Sequence, residues 1–235
     1  MTTSARAGLI ALVALSLGIG LSACSSDTSG NASVASSSAS PAASSASSPA
    51  QAAPPTSSTP PAPIVTLADY VRDNNIVETP VMPGDSGSPT VELPTLEGWE
   101  DMGSNAPEGS YSASVFTADP AAATPATVVT KMIRLTGNVD PAKVLEVAPG
   151  EIRALPGFEG PESGQPNKLS GFDATVIGGT YTKDGAQRMV AQKTVVVPGQ
   201  EGLYVLQINA EGTPEEANAL MDATSAIDDQ AKITP

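Results

Sequence analysis

The stretch FDATVIGGTYTKDGAQRMVAQKTVVVPGQEGLYVLQIN, residues 172–209, decides the fold. Lys183-Asp184-Gly185 is a hairpin signal, because Asp and Gly accept the positive φ that a tight turn between twisted strands requires. Its flanks, Phe172 to Thr182 and Arg188 to Val197, read as paired strands rich in β-branched residues. Val197-Pro198-Gly199-Gln200-Glu201-Gly202 then turns the chain into a further strand, Leu203 to Asn209. There Leu203 and Val205 point one way, and Tyr204, Leu206 and Ile208 the other. Apolar residues on both faces require both faces to be covered, which a one-sided antiparallel sheet does not need.

Covers stand on either side of this meander. Downstream, Thr213-Pro214-Glu215-Glu216 starts a helix with a cap, Pro at the first position and acids in the first turn. It is expected to run to about Asp228 with Ala217, Leu220, Thr224 and Ile227 facing inward. Upstream, Asp140-Pro141 starts a second helix, with Val144, Ala148, Ile152 and Leu155 on one face. Pro149 inside that pattern predicts a kink or a new helix. Thr66 with Asp69 in capping-box register opens a third over LADYVRDNN, which Asn74-Asn75 stops. Three short strands, Thr90 to Leu93, Tyr111 to Thr117 and Thr127 to Leu135, fill the space between. The predicted architecture is α/β: an antiparallel sheet between helical layers, an α/β/α sandwich.

The chain has 235 residues, 11 Lys plus Arg against 25 Asp plus Glu, no histidine and a single cysteine. That excludes His-dependent catalytic triads, His-ligated metal, CxxC redox chemistry and an intramolecular disulfide. A net charge of −14 argues against nucleic-acid binding, which needs a basic surface. The acid excess is read first as a solvated surface.

Residues 1–23 read as an export signal. Arg6 gives a thin positive start and Leu9 to Leu21 an apolar run too short for a membrane span. Leu21-Ser22-Ala23-Cys24 matches the bacterial lipobox, so cleavage before Cys24 and diacylglyceryl (palmitate-type) modification of its sulfur are expected. The alternative is a plain secretory signal with an incidental cysteine. Residues 24–63, almost wholly Ser, Ala, Pro and Thr, read as a disordered tether spanning roughly 35 Å. Residues 64–235 then form one globular domain holding all eight aromatics.

Several strings of this domain, in order, resemble the mycobacterial LpqN/LpqT lipoprotein family: LADYVRDN at 67–74, ETPV at 78–81, GDSGSPT at 84–90, LTGNVDPAKVLEVAPGE at 135–151, LPGFEG at 155–160, VAQKTVVVP at 190–198 and ITP at 233–235. The resemblance implies a Mog1/PsbP-like fold and a non-enzymatic, lipid-anchored envelope protein outside the cytoplasm. It further implies support of trehalose monomycolate transport, through contacts with RND-type mycolate lipid transporters and secreted mycolyltransferases, and binding of a trehalose glycolipid. A surface scaffold or antigen with protein contacts only and no ligand is the other reading. No site residue transfers by this route, and Leu96 to Ser110 matches the family least.

Candidate sites therefore rest on the residues. Trp99 and Phe158 each follow a glycine outside any helix or strand periodicity, where a ring can wall a ligand groove or plug the end of a core. Gly84 to Pro89 lacks the lysine and following helix of a phosphate loop and reads as turn chemistry. Glu215-Glu216 and Asp228-Asp229 read as helix-end complement and solvated tail, so no metal is assigned. Acids on apparent surfaces do not make a glycosidase pair, so no catalytic residue and no cofactor are assigned.

Overall fold

The computed structural model describes residues 63–119 and 122–235; the export signal, Cys24 and the tether lie outside the described residues. In chain order the elements are α1 (Leu67–Asp73), β1 (Val77–Val81), β2 (Thr90–Glu92), β3 (Trp99–Asp101), β4 (Ser112–Phe116) and β5 (Thr127–Thr136). There follow α2 (Pro141–Val147), α3 (Gly150–Arg153), β6 (Gln165–Leu169), β7 (Phe172–Lys183), β8 (Ala186–Gly199), β9 (Gly202–Gly212), α4 (Ala217–Gln230) and β10 (Lys232–Thr234).

The meander is as the sequence predicts. Asp184 and Gly185 take φ of 52° and 79° at the β7–β8 turn, and Ala174 to Lys183 pair antiparallel with Val195 to Ala186. β8 pairs with β9 over its length, and β9 with β5, giving the order β3-β4-β5-β9-β8-β7-β6, with β1 also on β5.

Both faces are covered. On one, Tyr204, Leu206 and Ile208 of β9, Val195 and Val197 of β8, and Val128 and Met132 of β5 pack against Leu220, Ala223 and Ile227 of α4. On the other, Leu203, Val205, Val196 and Leu135 meet Leu67 and Tyr70 of α1 and Val144 and Val147 of α2. Each fully buried aliphatic chain contributes roughly 1.5–3 kcal/mol. Farther along that second face, Ile152 of α3 closes over Ile177, Tyr181 and Val190.

The caps hold as expected. Thr66 and Asp69 exchange backbone and side-chain hydrogen bonds at the start of α1, and Asp140 accepts from the Ala142 amide at 2.9 Å. The Pro149 pattern resolves into two helices, α2 ending before it and α3 starting after it. Gly150 is required there, because a Cβ would lie 2.0 Å from the Val65 carbonyl oxygen where the chain crosses α3.

Two expectations change. The described residues form ten strands where the sequence indicated six. The added ones, β1, β3, β6 and β10, are three to five residues long, and β1 and β6 carry Pro80 and Pro166. Such edge segments have too few residues to show a period, and proline masks them. Second, β2 does not join the main sheet. It pairs with β10, Ile233 opposite Val91, as a separate ribbon beside α4. Among the described residues no helix is long and apolar enough to cross a membrane.

Candidate functional site

Trp99 opens β3 rather than lying in a loop, pairing in register with Phe116 of β4. The reversal before it is tight: Gly98 has φ +78°, the Trp99 amide donates to the Leu96 carbonyl at 3.2 Å, and the Thr117 amide to the Gly98 carbonyl at 2.8 Å. The Trp99 and Phe116 rings sit 5.4 Å apart at 54°, a tilted pair worth about 1 kcal/mol beyond the area it buries. Both rings pack on the α4 side of the sheet and stay partly open to solvent.

Trp99 and Leu96 divide two cavities. One, about 330 Å³, lies over β4. Its wall is apolar at Val91, Leu93 and Tyr111 and polar at Asp101, Ser112 and Ser114. The other, about 550 Å³, runs between the Thr95–Trp99 segment and α4, along Asn218, Asp222 and Ala226. A third space of about 520 Å³ at the β8–β9 turn is bordered by Pro89, Pro198 and Pro235. Its tyrosine, Tyr204, spends its hydroxyl on the Gly87 carbonyl at 2.9 Å, so the Trp99 region is the better equipped to take an amphiphile.

Phe158 lies in the loop after α3, on the opposite face of the sheet from Trp99. Its ring covers Gly160 and Gly179 and packs on the Ile152–Ile177–Tyr181–Val190 cluster. The structure does not bring the two aromatics together, and Phe158 has the surroundings of a core plug. Sequence reading missed Leu96, Phe116 and the α4 wall. The small-residue series Ala219, Ala223, Ala226 was the available signal, since a helix face without bulk leaves room beside it.

The acidic pairs need correcting. Glu216 is not a solvated helix-end charge: it is 6% exposed and accepts from the Ala126 amide at 2.7 Å, the Thr213 amide at 2.8 Å and the Thr213 hydroxyl at 3.1 Å. It therefore ties the start of β5 to the start of α4. Asp228 is not a free tail either. With Asn167 it receives the ammonium of Lys193, a buried lysine on β8. Gly84 to Pro89 is turn chemistry, the Asp85 carboxylate accepting from the Met82 amide at 2.8 Å.

Charged groups on the other face form one further cluster. Glu211 of β9 accepts from Lys183 at 2.9 Å and Arg188 at 3.3 Å. Burial pushes its carboxyl up, but hydrogen bonds from Lys183 and Tyr181 outweigh that and hold it below the usual range. The same contact raises the Lys183 ammonium. Among the described residues no group of three or more acidic or sulfur ligands is placed to hold a metal ion.

A sequence-family model described as "Probable lipoprotein LpqN" matches residues 63–234. The chain belongs to the LpqN family. Lipoprotein LpqN of Mycobacterium tuberculosis strain ATCC 25618 / H37Rv is 48% identical over 176 residues, covering 74% of this chain and 75% of that one. The crystal structure of LpqN, described as involved in cell envelope biogenesis of Mycobacterium tuberculosis, superposes with a TM-score of 0.68 at 49% identity, over 74% of this chain and 99% of that one. The Saccharomyces cerevisiae Ran-binding protein Mog1p aligns at a TM-score of 0.37 and 13% identity over 66% of this chain and 95% of that one, too loosely to argue from. The molecule is thus an LpqN-type cell-envelope lipoprotein with a helix-covered antiparallel sheet. The relative is named as a lipoprotein and not as an enzyme.

Proposed function

We propose that this is a non-catalytic binding and adaptor lipoprotein, anchored outside the cytoplasm through acylated Cys24. It holds an amphiphilic envelope glycolipid of the trehalose-mycolate type beside Trp99 while it contacts the machinery that exports or transfers that lipid. Family membership supports the envelope setting. One structural observation carries the ligand reading: Trp99 walls a cavity of about 330 Å³ that is apolar at Val91, Leu93 and Tyr111 and polar at Asp101, Ser112 and Ser114. Such a wall suits a molecule with a hydroxyl-rich head and an alkyl tail, and aromatic faces stack on sugar rings.

The geometry also suits a leashed carrier. The chain comes into the domain at Pro63 to Thr66 against α3, on the α1–α3 face, while the Trp99 cavity opens on the α4 face. A tethered domain works at raised local concentration, so weak contacts suffice.

Trp99 is the only tryptophan of the chain, so its fluorescence reports the two cavities that it divides and nothing else. Titration with a trehalose monoester is expected to shift Trp99 emission saturably, with Ser112→Leu weakening the response; an unchanged spectrum at saturation ends the ligand reading. For the anchor, Cys24→Ser is expected to move the protein from the membrane to the soluble fraction on cell fractionation. Continued membrane retention of that variant would remove the acyl anchor.

A further inference from the structure

On the far side of Trp99, the cavity of about 550 Å³ forms a trough between the Thr95–Trp99 segment and α4. Its floor is apolar: Leu96, Trp99 and Phe116, with Ala219, Ala223 and Ala226 giving a helix wall without bulk. Its rim is acidic and unanswered. Glu97 on one bank and Asp222 on the other form no ion pair or side-chain hydrogen bond among the described residues. Neither bank, 95–101 or 217–230, carries a lysine or arginine.

That combination discriminates among occupants. An alkyl chain lying on the floor would use the apolar surface alone and leave the Glu97 and Asp222 charges on the rim unanswered. A nucleic acid would bring phosphates against two carboxylates. A peptide segment with arginine beside an apolar residue satisfies all three features: guanidinium to carboxylate, guanidinium against the partly exposed Trp99 and Phe116 rings, and an apolar anchor against the alanines.

We propose that the α4 trough is a docking site for a partner protein that presents an exposed arginine-bearing apolar segment. The surface is separate from the amphiphile cavity and shares only its dividing residues, Leu96 and Trp99 among them. The net charge of −14 steers a basic partner toward the molecule before contact.

The test uses the full chain and its single tryptophan. The probes are a short Arg/Leu peptide and a counterpart with Glu in place of Arg. The Arg peptide is expected to change Trp99 emission saturably and to bind more weakly as salt is raised, while the Glu peptide does neither. Glu97→Lys combined with Asp222→Lys, both exposed positions, is expected to weaken Arg-peptide binding by about tenfold or more. The same double variant should respond to a trehalose monoester as the unmodified chain does, which separates failure of docking from failure of the amphiphile reading. Ala226→Arg, which puts a cation of the chain's own in the trough, is expected to abolish peptide binding. Equal affinity in these variants, equal binding of the Glu peptide, or an unmoved Trp99 spectrum overturns the proposal.

Discussion

The two faces of the central sheet are finished differently. Under α1 to α3 the chain is sealed: Leu135, Val144 and Val205 have no exposed surface, and two capping motifs fix the helices that cover them. Under α4 the sheet is covered along β8 and β9, but toward β3 and β4 the helix offers alanines, and cavities remain on both sides of Trp99. The lesson is that one side of a sheet can be packed shut from end to end while the other, equally well packed along β8 and β9, keeps open room at its edge. A helix edge without bulk is what keeps a groove from closing.

The sharpest way to break this contrast is to open the sealed face. Leu135→Ala should cost about 3 kcal/mol, because Val144, Val205 and Leu203 cannot collapse into the space. Leu96→Ala, at the groove, should cost less than about half of that, since its side chain is already partly in water. Urea denaturation of both variants measures the difference; equal losses would mean the faces are not distinct in packing. Next comes Glu216→Ala, expected to lose about 2 kcal/mol by leaving the buried Ala126 amide and the Thr213 amide without their acceptor. A Glu216 that were only a helix-end charge would cost a few tenths, so the same denaturation curve separates the two roles.

Lys193→Met should fall lower still, at about 1 kcal/mol or less. The methionine keeps the packing of the stem, and Asp228, which is 43% exposed at its side chain, returns to water instead of being stranded. A loss above about 3 kcal/mol would show that this pair behaves as a fully buried one.

What could be read in advance follows the same division. The meander and its two covering layers were legible because 172–209 carries long runs with apolar residues on both faces, and because Thr66, Asp140 and Thr213 announce helices by local chemistry. The rim of the groove was not. β3 is three residues long, and its pairing with β4 is a tertiary fact with no period in the sequence. Trp99 was found as an aromatic without a place in a pattern, yet Phe116 was hidden by having one: it ends an ordinary-looking strand. Glu216 was misread for a related reason, since a capping acid has the same sequence signature whether the cap is open to water or closed by the Ala126 amide.

The smallest effect expected is the one that titrates. Glu211, on the α1–α3 side, has its folded carboxyl held below the usual range despite burial, through Lys183 and Tyr181. A carboxyl lowered in the folded state adds stability above the unfolded value, about 4.3, and loses it as pH falls through the folded value. Glu211→Gln should therefore cost up to about 1 kcal/mol at neutral pH, discounted because the side chain is a quarter exposed. That deficit should shrink below about pH 4, where the unmodified chain protonates as well. Urea midpoints of the two chains plotted against pH should converge at the acid end. Parallel curves would mean the Glu211 contact is packing alone, and the polar closure of this face would then rest on the Glu151 carboxylate, which accepts from Gln207 at 3.0 Å.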